Sequence, residues 1–488
     1  MFFNSFQYIL VFLPICIIAY NVTKYFNIFA SKWLMILLST YFFTFISYEG
    51  FYVLIISCLV NYYLLLEIEK KKIKSLLIFS IFINISILSY FKYFHLHLSE
   101  GILSQYKWLS TFGMPLAISF FTFQQISIQV DSYLSRNINI NINITDYLYY
   151  ILFFPKLISG PITRYSDLMP QSNEKRTSRA SEILGGLSIF SVGLFKKVIV
   201  SSCFSNIADT GYSSVTSLTF FDSWGVSLAY TMQIYFDFSG YSDMAIGSAL
   251  LLGIKLPINF NSPYKSKNIR EFWDRWHISL STWLRDYVYI PLGGSRHGNV
   301  KTYINIIITF IISGAWHGST FNFILWGSMH GIATCISRAW TKYGMKMNNF
   351  LAWIVTFLFI NFSWVPFRAS SLEDTLHVFK SMIGINGVFF SQSLWQVLSI
   401  IFEKQWISTG RTDLNGMLHV PMYSIVLIPI ALLSCTCLQN SNYIAGVDGK
   451  EIKSPNIISA ILCGIAFSLS IISMFGGATA SQFIYANF

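Results

Sequence analysis

An all-α protein that crosses a lipid bilayer many times is the fold class this sequence predicts, and three observations carry it. Of 488 residues, 54% are hydrophobic and only 11% charged. A soluble domain usually carries about 25% charged residues, so most of this surface cannot face water. The apolar residues fall into runs close to the ~20 residues that a helix needs to cross a ~30 Å hydrocarbon core. The basic residues gather in gaps between those runs.

Taken in order, spans are expected near 6–22, 32–48, 50–66 and 75–94. A shorter apolar stretch, 114–130, follows the break Gly113-Met114-Pro115 and is a candidate re-entrant segment. Further spans are expected near 147–160, 184–205, 224–252, 303–317, 320–340, 350–367, 421–438 and 457–475. The count is about eleven spans plus one or two partial ones. Lys24 and Lys32 flank the first loop, Tyr48-Glu49-Gly50 carries no base, and the third loop holds Lys70, Lys71, Lys72 and Lys74. Basic loops favour the cytoplasm, so the N-terminus is expected outside. The run Phe6–Val22 has no basic residue before it and no small-residue cleavage site after it; it reads as a retained first span. No repeat, low-complexity tract or soluble domain is visible, and 1–488 reads as one membrane domain. The longest polar stretch, 166–182, reads as a connecting loop, and a second, 402–416, precedes the last two spans.

The net charge of +11 fits basic loops meeting anionic lipid better than nucleic acid, which is not expected as a partner. Seven cysteines lie scattered in apolar runs. Only Cys435 and Cys437 are close in sequence, with neither zinc nor disulfide spacing, and no metal site is expected.

The region Tyr235–Trp340 carries the chemistry. Tyr235-Phe236-Asp237-Phe238-Ser239-Gly240-Tyr241-Ser242-Asp243 places two carboxylates inside an apolar run. Such groups are expensive at membrane depth and face protein or a wet cavity. A structural polar network explains them most simply; the alternative is the wall of a substrate tunnel, lined by Asp237, Ser239 and Tyr241. Asn259-Phe260-Asn261-Ser262-Pro263-Tyr264 follows, with Asn259 and Asn261 as further lining candidates. In Glu271–Leu280 and beyond, Trp273, Trp276, Leu280, Trp283 and Tyr287 make one stripe if the segment is a helix. His277 lies within that stripe, and Arg270, Arg275 and Arg285 form the polar side. The reading is an interfacial amphipathic helix with aromatic anchors.

The sharpest signal is Ser313-Gly314-Ala315-Trp316-His317-Gly318-Ser319-Thr320. His317 ends a long apolar run, and intramembrane ionisable residues are functional hypotheses by default. On a continuous helix Ser313 and Gly314 precede it by one turn and Thr320 follows by one turn; these small residues, next to Trp316, leave room around the imidazole for a ligand to approach. A helix-packing histidine is the competing reading, because small residues also mark tight crossings. His330, four residues after Trp326, could line the same cavity. His95, His97 and His297 make no site pattern, and no zinc, phosphate-loop or nucleophile-elbow motif is present.

These blocks resemble the membrane-bound O-acyltransferase (MBOAT) family. Tyr235–Gly247, Asn259–Tyr264, Glu271–Gly294 and Ser313–Gly331 are similar, in order, to its bacterial signature blocks, within a core of about 114–369. Met114–Tyr133, Phe153-Phe154-Pro155 to Arg164-Tyr165, and Trp364–Ala369 add support. The similarity is nearest the alginate O-acetylation and peptidoglycan O-acetyltransferase branch. The resemblance implies helices around a central funnel, His317 and His277 as the signature histidines, and no bound cofactor. It also implies acetyl-CoA or a carrier-bound acyl group as donor, and an extracytoplasmic SGNH-hydrolase-like acetyltransferase as partner. The tail, 481–488 after C-terminal helices at about 421–475, resembles an ending in which a tyrosine carries acyl groups; Tyr485 is then a candidate carrier. Ala486 departs from the aromatic expected there, and an interfacial aromatic anchor is the simpler reading. The implied activity is acetyl transfer to a cell-envelope polysaccharide at the bacterial cytoplasmic membrane. D-alanyl transfer to teichoic acid, a transporter without chemistry and a recruiting scaffold are the competing readings; paired broken helices typical of transporters are not seen.

Overall fold

The computed structural model describes residues 1–94, 115–135, 142–388, 422–447 and 452–477. Among them every regular element is helical. A π-helical turn, Gln7–Phe12, leads into α1 (Leu13–Phe26), followed by α2 (Ile28–Ile46), α3 (Tyr48–Lys71) and α4 (Lys74–Ser89), which runs on into a π-helical segment, Tyr90–Phe94. Then come α5 (Ile118–Tyr133), α6 (Ile144–Leu152), α7 (Phe154–Leu157), α8 (Tyr165–Asn173), α9 (Ala180–Phe195) with a π-helical extension Lys196–Ser201, α10 (Ser202–Ser213) and α11 (Phe220–Leu251). The second half holds α12 (Ile269–Trp273), α13 (Ile278–Leu284), α14 (Asn299–His317), α15 (Phe321–Lys342), α16 (Asn349–Arg368), α17 (Leu372–Met382), α18 (Met422–Cys437), α19 (Ser441–Ile444) and α20 (Ile457–Phe475).

Seven described segments are long and apolar enough to cross a bilayer: 7–26, 28–46, 48–71, 74–94, 180–213, 349–368 and 457–475. The chain is therefore a multi-pass membrane protein. The expected spans at 224–252, 303–317 and 320–340 are also long helices, α11, α14 and α15; they carry more polar residues, and α11 packs inward while α14 and α15 each keep an exposed apolar face. α11 has 32 residues; at 1.5 Å per residue it is ~48 Å long, well beyond the apolar core. It is buried almost throughout from Val226 to Leu251 and forms the axis of the bundle.

Small residues let α9 meet this axis closely. A Cβ on Gly193 would lie 2.6 Å from the Gly240 carbonyl oxygen, and one on Gly247 2.7 Å from that of Gly186. Without a hydrophobic drive between helices in lipid, such backbone approach and polar contacts supply the adhesion. The polar contacts are abundant. Asn61 on α3 accepts from Asn84 of α4 at 2.6 Å and Gln129 of α5 at 2.7 Å, and donates to Gln125 of α5 at 3.1 Å.

Two local expectations are corrected. Residues 118–133 form a continuous helix rather than a re-entrant segment. The re-entrant part is instead 144–164, around the span expected at 147–160. Its helix stops at Leu152, α7 holds only four residues, and Ser159 has φ +59° before Gly160. Its entry and its return meet at one residue, since Lys32 contacts both Asp146 and Asn173. A dip into the bundle that returns to its own side is tolerated because protein buries it: Ile151–Gly160 are all buried.

Candidate active site

α14 ends at His317. Gly318 is extended, and its N–H reaches the Gly314 carbonyl at 3.3 Å. Thr320 therefore lies beyond the helix and exposed, not one turn above His317. The helix end is pressed against α15 through glycines: a Cβ on Gly314 would sit 2.2 Å from the Phe323 carbonyl oxygen, and one on Gly327 2.3 Å from that of Phe310. His317 is thereby carried into the protein, where it is 2% exposed. Its ring meets Trp316 at 4.7 Å, Trp326 at 5.0 Å and Phe367 at 5.2 Å between centroids.

His277 reaches the same place by a different route. The expected continuous amphipathic helix does not form. α12 ends at Trp273, His277 takes the left-handed conformation (φ +43°, ψ +52°), and α13 starts at Ile278. The break turns His277 and Trp276 inward, each 1% exposed. A strap from the end of α11 holds it: the Ile278 N–H donates to the Asn259 carbonyl at 3.0 Å, and the Asn261 N–H to the Arg275 carbonyl at 2.9 Å. The Asn259 side chain completes the seat. Its Oδ1 accepts from the Ser279 N–H at 3.2 Å and the Ser279 hydroxyl at 2.9 Å, and lies 3.1 Å from His277 Nδ1. Its Nδ2 donates to Ser242 Oγ at 3.2 Å. The backbone donor identifies Oδ1 as the oxygen, so Nδ1 of a neutral His277 carries the proton and Nε2 the lone pair. The re-entrant segment joins this seat, since the Ile162 N–H donates to Ser279 Oγ at 3.0 Å.

Trp316 brings the two histidines together: its ring centroid lies 4.7 Å from that of His317 and 6.4 Å from that of His277. Phe123 stacks on Trp316 at 5.2 Å, and Phe238 meets His277 edge-on at 4.7 Å. His330 stands behind Trp326, 4.8 Å between rings. Ser363 spends its hydroxyl proton on the Ile360 carbonyl at 2.7 Å, so His330 Nε2 donates to Ser363 Oγ at 3.0 Å. Ser313 Oγ, one turn before His317, and Ser239 Oγ, beside Phe238, are buried with no hydrogen-bond partner among the described residues. Such polar atoms are points at which a ligand or water can be received.

Not every sequence candidate belongs here. Asp237 pairs with Lys197, and Asp243 with Lys196 at 2.7 Å; both lysines come from the π-helical extension of α9, and the pairs tie α9 to α11. Tyr241 packs on Phe3 at 4.9 Å, in the N-terminal packing. Arg285 is exposed and bonds Asp286 at 2.8 Å, which Arg164 also contacts. The Asn261 side chain is exposed and lines a cleft of about 340 Å³ with Lys265, Arg275 and Asn442, on the strap that bears Asn259. His95, His97, the stretch 402–416 and Tyr485 lie outside the described residues. Sequence reasoning missed Ser242, Ser279 and Ser363, small hydroxyls that only the fold brings to the histidines. It also missed Lys92. That residue was legible only as a lone base near the end of an apolar run.

Two histidines buried in an aromatic chamber of a multi-pass helical bundle, one on a helix end and one in a braced break, mark a class of membrane proteins with an ionisable centre inside the bundle. The class is confirmed by comparison: residues 15–372 match the membrane-bound O-acyltransferase family, MBOAT. The chain belongs to that family and is an acyltransferase. It is 37% identical to the peptidoglycan O-acetyltransferase of Helicobacter pylori, over all of this chain and 97% of that one. It is 38% identical to the probable alginate O-acetylase AlgI of Pseudomonas aeruginosa, over 70% of this chain and 63% of that one. The teichoic acid D-alanyltransferase of Bacillus subtilis is 31% identical over 45% of this chain and 60% of that one.

Proposed function

We propose that this protein is an O-acetyltransferase of the bacterial cytoplasmic membrane, N-terminus outside. It moves acetyl from a cytoplasmic thioester, acetyl-CoA, towards hydroxyls of a cell-envelope polysaccharide. The observation that carries the reading is the burial of His317 beside His277 in a chain that matches a peptidoglycan O-acetyltransferase end to end. A hydroxyl is a poor nucleophile until its proton is removed, and a neutral imidazole with a free lone pair can accept that proton. His317 takes the hydroxyl proton as the oxygen attacks the thioester carbonyl carbon, and the carbonyl electron pair moves onto oxygen. When that pair returns, the carbon–sulfur bond breaks and the thiolate leaves, to be protonated by the imidazolium. General-base help of this kind contributes roughly 10²–10⁴-fold. His277, held as the Nδ1–H tautomer by Asn259, orients the reacting group through Nε2. The cleft bearing Lys265 and Arg275 offers the charge that a nucleotide diphosphate needs. An extracytoplasmic SGNH-hydrolase-like partner completes transfer, with Tyr485 as the acyl carrier between them.

The test uses the purified full chain in lipid nanodiscs with radiolabelled acetyl-CoA. Thiol release and label transfer are measured for wild type, His317→Ala and Tyr485→Phe. Thiol release that requires His317 is expected. Consumption of D-alanyl carrier protein but not acetyl-CoA would move the reading to D-alanyl transfer. Consumption of neither would leave a transporter or scaffold.

A further inference from the structure

Lys92 is a buried base at the chamber with no part in the transfer step above. It sits in the π-helical segment Tyr90–Phe94, with 7% of its surface exposed. Its ammonium contacts the Trp316 carbonyl oxygen, in the peptide bond that leads directly into His317, and lies 5.7 Å from the Trp316 ring centroid. The neighbouring Tyr93 hydroxyl donates to the Ala315 carbonyl. Both carbonyls belong to the last turn of α14, where helical partners run out.

A helix end attracts cations, but capping alone does not account for a charge here. Tyr93 shows that a neutral hydroxyl serves such a carbonyl. An ammonium buried in an apolar chamber is costly unless paired, and no carboxylate among the described residues pairs with Lys92. Among the described residues only Trp316 takes one of its three N–H donors. Charge that is uncompensated at rest is useful where negative charge appears during reaction.

We propose that Lys92 is a catalytic residue whose ammonium donates to the oxyanion formed when the acyl thioester is attacked beside His317. The proposal rests on His317 being the transfer centre. In the step above, the carbonyl π pair moves onto oxygen while His317 holds the hydroxyl proton. The oxyanion then accepts a hydrogen bond from a free Lys92 N–H, which keeps its proton throughout. Collapse restores the carbonyl, expels the thiolate and leaves Lys92 charged for the next turnover. Trp316 is the brace that aims Lys92.

The experiment compares Lys92→Gln, Lys92→Arg and Tyr93→Phe with wild type and His317→Ala, as full chains in nanodiscs with acetyl-CoA, recording kcat, KM and melting temperature. Lys92→Gln keeps a neutral donor for the Trp316 carbonyl and removes the charge. It is expected to lose about 10²–10³-fold in kcat, the usual effect of one oxyanion donor, with KM and melting temperature near wild type. Lys92→Arg is expected to recover at least tenfold of that loss. Tyr93→Phe, which weakens the same helix end without touching the charge, is expected to stay within threefold of wild type. Wild-type kcat in Lys92→Gln overturns the proposal. So does a loss in Tyr93→Phe as deep as in Lys92→Gln, or a Lys92→Gln loss that follows the melting temperature and is not recovered by arginine; each marks a structural clamp. Full activity in His317→Ala would instead remove the underlying reading, whatever Lys92 does.

Discussion

Asn259→Ala removes one side chain and disturbs four hydrogen bonds at once. Three converge on Oδ1, from His277, the Ser279 N–H and the Ser279 hydroxyl, and one leaves Nδ2 for Ser242. The two hydroxyls can rotate to other acceptors. The Ser279 N–H and the His277 Nδ1–H cannot, and Asn259 is fully buried, so no bulk water replaces it. A buried donor left unsatisfied costs about 1–3 kcal/mol, so the substitution is expected to cost about 3 kcal/mol of stability. His277 also loses the contact that fixes its tautomer, so acetyl transfer should fall further than stability alone explains. The assay is reversible unfolding in mixed micelles, beside thiol release in nanodiscs. Asn261→Ala, two residues on with an exposed side chain, is the control and should stay within about 0.5 kcal/mol. A loss below about 1 kcal/mol for Asn259→Ala, with wild-type turnover, would refute the claim that Asn259 seats His277.

Gly314→Ala forces a Cβ to within 2.2 Å of the Phe323 backbone. It should part α14 from α15, cost about 1–3 kcal/mol and displace His317, which thermal unfolding and thiol release would both record. Gly464→Ala, where a Cβ meets nothing within 4 Å, should change neither. Lys197→Met leaves the Asp237 carboxylate buried opposite an apolar side chain and should cost about 3–5 kcal/mol. The double variant Lys197→Met with Asp237→Leu should recover most of that, as unfolding in mixed micelles would show; no recovery would mean the pair does more than tie α9 to α11.

The helices were legible because a bilayer demands long apolar runs, and those runs stand out at 28–46, 349–368 and 457–475. His317 was legible because an ionisable residue at the end of such a run, among Gly314, Gly318 and Trp316, has few reasons to be there. The break at His277 was not legible. Trp273, Trp276, Leu280, Trp283 and Tyr287 keep perfect helical spacing, while the left-handed turn at His277 is imposed by a strap sixteen to eighteen residues earlier. The re-entrant path of 144–164 was hidden for a related reason. Its residues are as apolar as a span, and only Lys32, on a distant helix, reveals that both ends share one side. Asp237 and Asp243 were rightly suspected of structural pairing, but their partners, Lys197 and Lys196, could not be read from spacing. Lys92 shows locally only as a lone base near the end of an apolar run; its meaning comes from the helix end 224 residues away that it contacts.

The central claim is that His317 performs acyl transfer to an envelope polysaccharide. The most direct measurement is alkali-released acetate from isolated envelope polysaccharide, in cells lacking the native protein and carrying either wild type or His317→Ala, with equal membrane levels confirmed by immunoblot. The account predicts that acetate falls to the level of the deletion in His317→Ala alone. Unchanged acetate in that variant would contradict it and leave the protein without the catalytic role assigned to His317.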